Sequence, residues 1–562
     1  MCKSSNMPAR DDKGAAMTAP TRPQQDAPTR PAADGGDAVA AAQTARLVAQ
    51  SRANALGHLL RRSAARHGGK TALIDGDRTF SYADFDRLVD SVAASLQRSG
   101  IEPGERVALL SRNCWEFAAL AWGCARLGAV LVPMNFMLTG EDVAFQLDDA
   151  EVAAFFTGAD LAATAAGALA RCGLDVKLLV AIRGDQPPAG WTSFDRWLQA
   201  APAGWTAPPV DDDAPVRIMY TSGTESRPKG AVLSSRSLIA EYVSCVVDGS
   251  MASDDIDLHT LPLYHCAQLD CFLGPDLMTG ATSIVLPGPD PAAVLAAIER
   301  YGVTKYFAPP TVWISLLRNP GFDAADLSSL RKGYYGASPM PAEVLRELLR
   351  RLPGMDVWNF YGQTEVAPLA TILPPHEQVR SAGSAGWPVL NVQTMVVDDE
   401  DQPVPAGTVG EVVHRTPQAT SGYWRNPEKT AEAFRGGWFH SGDLGVIDDE
   451  GKLTIVDRKK DMIKTGGENV ASREVEEAIY QHPAVAEVAV FATADDKWVE
   501  AVTAAVVIRA GHDTDAAALL AHCRAQLAPF KCPKRIEIVD ALPKNPSGKI
   551  LKRDLRTRFS AS

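Results

Sequence analysis

Positive charge is in deficit in this chain, where 56 lysines and arginines face 68 aspartates and glutamates, for a formal net charge of -12. No basic stripe offers to displace the counterions of a nucleic-acid backbone, so nucleic acid is excluded as a partner. The same balance discourages adhesion to anionic membranes, although local lysines can still hold an anionic nucleotide. Long apolar runs are missing too. The stretch 117–132 is interrupted by Arg126 and by glycines, and it is too short to span a bilayer. No continuous apolar segment follows the early lysines, which argues against a secretory signal. The nine cysteines form no C-x-x-C pair and no Cys/His cluster with zinc spacing. An odd, scattered set suits reduced thiols packed as small hydrophobes, and the expectation is a cytoplasmic protein without an integral membrane segment.

What is present is length and alternation. A chain of 562 residues exceeds one compact core, so two or three packed units are expected. Residues 1–45 are rich in Ala, Pro, Asp and Thr and poor in large apolar side chains, which predicts a disordered tail. Residues 46–67 read as one amphipathic helix. Ser81, with Asp84 three residues on and Gly100 at the end, brackets another. "RVALLS", "RIMYTS", "TSIVLPG", "VTKYFAPP" and "KGYYGAS" read as strands between helices, which indicates an α/β architecture with mainly parallel sheet. From about residue 389 the pattern turns to short strands with tight turns. The dense charge around 457–464 marks an exposed connection. The expected organisation is a tail 1–45, a large α/β domain 46–459 with a β-rich subdomain over 389–459, and a small mobile α+β domain 460–562.

The loop Tyr-Thr-Ser-Gly-Thr-Glu-Ser-Arg-Pro-Lys-Gly at 220–230 follows a strand and gathers hydroxyls, glycines and Lys229. Backbone N–H groups and hydroxyls in such a loop can wrap phosphates, and the lysine adds a cation. The G-x-x-x-x-G-K-[ST] spacing of a Walker loop is absent, and a plain Ser/Thr-rich turn would read the same way. The loop resembles the phosphate-binding signature of the adenylate-forming superfamily, which holds acyl-CoA synthetases, peptide-synthetase adenylation domains and luciferases. Five further segments continue the resemblance in order: Tyr361-Gly-Gln-Thr-Glu365, Ser441-Gly-Asp443, Asp457-Arg-Lys-Lys-Asp461, Lys464-Thr-Gly-Gly-Glu-Asn469 and Pro546-Ser-Gly-Lys549.

The resemblance implies an ATP-dependent ligase that forms an acyl adenylate and passes the acyl group to coenzyme A, with Mg²⁺ as cofactor. It places Thr221, Ser222, Gly223 and Thr224 around the phosphates beside Lys229, and Thr224 with Glu365 around the metal. Gly336, Ala337 and Ser338, together with Asn359, Phe360 and Tyr361, correspond to the walls of the adenine site, continued by Gly362 and Thr364. Asp443 and Arg458 correspond to the ribose contacts, Lys460 to the hinge, and Gly466 and Gly467 to the approach of the pantetheine arm. Lys549 corresponds to the lysine that bridges carboxylate and phosphate. A carboxylate is already a nucleophile near neutral pH, so this chemistry needs two anions brought together rather than acid–base help. Glu225 and Ser226 stand where many members have Thr and Gly, and Ser472 where many have proline.

"LPLYHCAQLD" resembles the segment at the carboxylate end of the acyl site, which places His265 beside the substrate carboxylate. Tyr264, Gln268, Trp313 and Tyr334 are expected to line the rest, consistent with a fatty or an aromatic acid and with a lean towards the former. The F-D-x-S pattern that pairs with an α-ammonium is absent, which argues against an amino acid substrate. A ligase that loads a carrier protein is the nearest alternative. A non-catalytic nucleotide-binding regulator is the alternative of another class, opposed by the presence of Lys549, Glu365 and Asp443. The expected partners are the carboxylic acid, ATP and CoA, and a homodimer is compatible.

Overall fold

Capping chemistry starts the helices where the sequence signals it. Ser81 accepts the amide of Asp84 and opens the helix Tyr82–Arg98, whose buried face carries Phe85, Val89, Val92 and Leu96. The computed structural model describes residues 35–184, 187–221, 227–495, 497–545 and 548–560. The chain divides after Arg52 into two units. The first carries a helix, Gly35–Arg52, exposed from residue 41 onward, which begins inside the stretch expected to lack structure. Its run of alanines accounts for it, since alanine is the best helix former. The single helix expected over 46–67 is also two. A new one runs over Leu56–His67. There the Asn54 amide donates to Asp212 Oδ1 at 2.9 Å and the Leu56 amide to Ser235 Oγ at 3.0 Å.

In the second unit the described strands fall into four sheets. A nine-stranded sheet has at its centre the strands Ile256–His259, Lys305–Phe307, Lys332–Gly336 and Asp356–Gly362, all parallel, so their carboxyl ends open on one side. A seven-stranded sheet ends in the antiparallel pair Pro215–Thr221 and Lys229–Ser234, which lie on either side of residues 222–226 in the sequence. Four antiparallel strands, Gln393–Val397, Gly410–Arg415, Phe439–Ile447 and Leu453–Arg458, form the β-rich layer.

Beneath the carboxyl end of Ile256–His259 lies a fully buried polar chain. Lys305 Nζ pairs with Asp276 and lies 3.2 Å from Asp257 Oδ2. His259 Nε2 stands 3.2 Å from the other Asp276 oxygen. Gln268 donates to His259 Nδ1 at 2.7 Å and accepts the Leu261 amide at 3.2 Å. Burial alone would discharge Lys305, yet Asp257 and Asp276 overcome it and hold the ammonium charged.

The small C-terminal sheet is built on the hairpins Ile463–Thr465 with Glu468–Val470 and Val485–Asp495 with Val499–Ile508, plus Arg535–Ile538. Its helices are Ser472–Tyr480, Ala516–Gln526 and Lys552–Ser560. Polar contacts hold this lid to the larger domain. Arg473 donates to the carbonyls of Ile455 and Gly383, and Thr311 Oγ1 donates to the Gly548 carbonyl at 3.3 Å. Ser472 is buried, gives its amide to Asp457 Oδ2 at 2.6 Å, and accepts from Lys552 Nζ at 2.7 Å. A proline there would lack that amide.

Two substitutions test this frame. Lys305→Met leaves Asp276 and Asp257 without their cation, and should cost about 3–5 kcal/mol of stability, read from urea unfolding. Gly548 has φ 80, and a Cβ on it would stand 2.6 Å from Thr311 Oγ1. Gly548→Ala should therefore loosen the loop at a cost of about 1–2 kcal/mol, with faster hydrogen exchange at the Asn545 and Lys549 amides.

Candidate functional site

The parallel strands deliver their carboxyl ends to a cavity of about 830 Å³, roofed by the lid. Ligands in open α/β sheets bind at this end. Phe307, Gly336 and Ala337, and residues 360–365 reach it directly from strand ends. Gly336 is required by its neighbour, since a Cβ would meet the Phe360 carbonyl at 2.4 Å. Ala337 follows in the left-handed region at φ 64.

At one end the cavity is polar. Glu365, nearly buried, accepts from the Tyr423 hydroxyl at 2.9 Å, and Lys229 Nζ lies 5.0 Å from the centre of the Tyr423 ring. Thr221, Gly362 and Thr364 line the same region. The Tyr361 hydroxyl donates to Asp443 Oδ2 at 2.7 Å, while Arg458 Nε stands 3.2 Å from Oδ1. Asp443 is buried behind Tyr361 and Arg458, which line the cavity, and among the described residues its Oδ1 accepts no hydrogen bond, which leaves an acceptor just behind the wall.

The lid contributes Asn545, Lys549 and, from its start, Lys460. The loop is closed by the Asn545 amide to the Lys549 carbonyl at 2.9 Å and the Lys549 amide to Asn545 Oδ1 at 2.8 Å. The side chain of Lys549 is open to the cavity. Repulsion from Arg458, with burial of the ammonium and the further charge of Lys460, draws its pKa down to about 8 against the opposing pull of Asp443. His265 faces it across the cavity. Burial, and next Lys549, bring the imidazole down to about 4, so it is neutral at pH 7. Its Nδ1 accepts the Ala267 amide at 3.2 Å, which assigns the proton to Nε2.

Beyond His265 the walls become mostly apolar. Tyr264, Ala267, Cys271, Phe272, Phe307 and Phe360 line them. Phe272 stacks on Phe307 with ring centres 4.4 Å apart, and Phe360 lies nearly parallel to it at 5.6 Å.

Several residues expected in the site are elsewhere. Gln268 is wholly buried and spent on His259 and Leu261, so it does not line the acyl site. Trp313 is core: its indole donates to the Tyr334 carbonyl at 3.0 Å and its ring packs edge-on against Tyr306. Tyr334 is buried against Trp358. Asn359 donates to the Ser384 carbonyl, and neither it nor Ser338 lines the cavity. Tyr334 and Asn359 lie on strands, where adjacent residues point to opposite sides, while Gln268 lies on a helix whose Cys266 and Ala267 meet the cavity instead, and Trp313 on one that does not line it. Gly466 and Gly467, both at positive φ, form the turn of a lid hairpin beside Trp498 and do not reach the cavity in this arrangement. Ser222, Gly223 and Thr224 lie outside the described residues, as do Glu225 and Ser226.

Sequence reasoning missed Tyr423, Cys271, Phe272 and Asn545. Phe307 was legible as the last residue of a strand, the position from which a side chain reaches the open end of a parallel sheet.

Magnesium prefers hard oxygen ligands and is commonly held by one or two carboxylates together with substrate phosphates. Glu365 fits that requirement among the described residues. No described helix is long and apolar enough to cross a membrane.

Comparison with known proteins agrees with this geometry. The model of the AMP-binding enzyme family matches residues 60–424, and that of the AMP-binding enzyme C-terminal domain residues 474–549. A feruloyl-CoA synthase of Amycolatopsis sp is 38% identical, covering 88% of this chain and 96% of the relative. The long-chain-fatty-acid–CoA ligase FadD13 of Mycobacterium tuberculosis is 35% identical, with 86% and 94% covered. The crystal structure of the anthranilate CoA ligase AuaEII in complex with anthranoyl-AMP superposes with a TM-score of 0.85 at 28% identity, covering 90% of this chain and 97% of that one. On this fold, this cavity and these matches, the chain belongs to the AMP-binding enzymes of the adenylate-forming superfamily, in its acyl-CoA synthetase branch.

Proposed function

We propose that the enzyme activates an aromatic carboxylic acid as its acyl adenylate, releasing pyrophosphate, and transfers the acyl group to coenzyme A. The observation that carries this reading is the convergence on one cavity of a lid lysine, a neutral histidine, Tyr361 and Arg458 backed by the buried Asp443, and a wall of stacked phenylalanines. The carboxylate lies between His265 and Lys549. His265 donates from Nε2 without adding charge. Lys549 sits between the carboxylate and the α-phosphate, offsetting the repulsion between two anions as the carboxylate oxygen attacks phosphorus and pyrophosphate leaves. Asp443 Oδ1 accepts from the ribose, with Arg458 beside it. Thr221 and Lys229 hold the phosphates, and Glu365 would hold Mg²⁺, which would supply neutralisation of phosphate charge. Lys460 begins the lid and serves as its hinge. Rotation there brings Gly466 and Gly467 to the thiol.

The aromatic preference is supported by the Phe272–Phe307 stack, which suits a flat ring, and by the feruloyl-CoA relative. A fatty acid is the second reading, favoured by the similarity to FadD13. AMP release with Mg-ATP and CoA, measured across aromatic and aliphatic acids with the thioester identified by mass, decides between them. Higher kcat/KM for aryl acids is expected. A preference for long alkanoic acids would reverse the assignment, and acyl-AMP without an acyl-CoA product would point to a carrier protein as acceptor.

Lys549→Ala should slow acyl-AMP formation by about 10²–10³-fold while sparing thiolation of supplied acyl-AMP. Equal loss in both half-reactions would remove Lys549 from the adenylation step. Because Lys549 is cationic below its pKa of about 8, kcat/KM for ATP should fall as pH rises through 8. Bound anions favour the ammonium, so the limb in kcat should lie at higher pH. His265 stays neutral over this range and should add no inflection between pH 5 and 8.

A further inference from the structure

One polar group beside the cavity has no part in the chemistry above. Glu241, on the helix Ser235–Asp248, is wholly buried. Its Oε1 accepts from the Cys245 thiol at 3.0 Å, and its Oε2 has no hydrogen-bond partner. A carboxyl oxygen of Glu241 and the sulfurs of Cys245 and Cys271 lie within 4.8 Å of one another, and Cys271 lines the cavity next to Phe272.

Among the described residues no cation pairs with this carboxyl. The nearby Asp270 takes Arg217, with which it forms a buried pair joined by the Tyr242 hydroxyl at 3.1 Å. Burial, reinforced by Cys271 and Asp270, pushes the Glu241 carboxyl well above the usual range, so it is protonated and offers an O–H. Cys271 is carried by a π-helical turn, Leu269–Leu273, inserted between two short helices. Such turns are rare and cluster at functional sites. Here the turn aims Asp270 at Arg217 and Cys271 at the cavity. The result is a polar spot at a mostly apolar wall: Cys271 lines the cavity, and the wholly buried Glu241 stands behind it with Oε2 unspent among the described residues.

We propose that Glu241, with Cys271 in front of it, forms a subsite of the acyl cavity that takes an uncharged hydrogen-bonding substituent of the acid, a hydroxyl group. The proposal deepens the reading that this cavity holds the acid. A hydroxyl can accept from a protonated carboxyl and donate to a sulfur or a carboxyl oxygen, so it completes the network in either direction. A second carboxylate or an ammonium is disfavoured, since it would be buried without a free counter-charge. The subsite therefore selects among acids by their distal group, while His265 and Lys549 handle the carboxylate.

Matched pairs of acids read this directly: cinnamate against 4-hydroxycinnamate, 3-phenylpropanoate against its 4-hydroxyphenyl analogue, and dodecanoate against 12-hydroxydodecanoate. In the wild type, kcat/KM for AMP release should favour the hydroxylated member of at least one pair by about tenfold or more, because an unanswered buried polar group penalises the analogue lacking the hydroxyl. Glu241→Met should bring that ratio close to one while leaving kcat/KM for the unsubstituted acid within about threefold, which controls for folding. Glu241→Gln, still an uncharged donor, should keep the preference. Should Glu241→Met prove unfolded, Cys271→Val makes the same comparison from the cavity side. Ratios near one for every pair in the wild type, or a preference that survives both Glu241→Met and Cys271→Val, overturn the proposal. Turnover confined to the aliphatic pair would reverse the aryl reading alone, and that pair then decides the role of Glu241. No turnover of any pair would overturn both.

Discussion

Everything at the acid end of the site rests on keeping one ammonium charged in a dry interior. Lys305 sits among Asp257, Asp276 and His259 with no access to water. Through His259 its influence reaches Gln268, which grips the Leu261 amide and so fixes the turn carrying Tyr264 and His265. An ionic core of this kind is a poor source of stability compared with apolar packing of the same volume. Its value lies in geometry, because a hydrogen-bonded chain admits one arrangement of the loop above it where apolar contacts would admit several.

The larger architecture was legible from the sequence because it follows from repeating physical signals. Alternating apolar strands and capped helices yield the parallel sheet, and Ser81 caps its helix as the spacing from Asp84 requires. The site was legible in a different way, through short ordered segments whose residue types suit phosphate, ribose and carboxylate chemistry. Glu365, Tyr361, Gly362, Arg458 and Lys549 do meet at one cavity. The acyl wall was not readable. Gln268 and Trp313 have the size and polarity of lining residues, but whether such a side chain turns inward or outward depends on partners distant in sequence, His259 and Tyr334. Cys271 reaches the cavity only because a π-turn shifts the helical register, and no periodicity announces that shift.

The two ends of the cavity solve opposite electrostatic problems. At the nucleotide end, charges of both signs are gathered: Lys460 and Lys549 from the lid, and Arg458, Glu365 and the buried Asp443 from the body. At the acid end, buried ionisable groups are either paired, as Arg217 with Asp270, or rendered neutral, as His265 and Glu241. This division keeps charged side chains at the end lined by Lys229, Glu365 and Arg458, and away from the apolar wall.

The crowding of Arg458 and Lys460 against Lys549 has a thermodynamic corollary. Work is stored in holding these like charges together, and an incoming polyanion releases it. The docked lid and the bound anion are therefore reciprocal effectors: whatever free energy the anion contributes to docking, docking returns as affinity for the anion. The polar contacts at the seam, two of them at the carbonyls of Gly383 and Gly548, oppose separation whether or not the anion is present, so the anion's share is added to theirs. The occupancy of the lid's closed position should accordingly follow the charge state of what lies beneath it, which makes the substrate's own phosphates the timing element of the cycle.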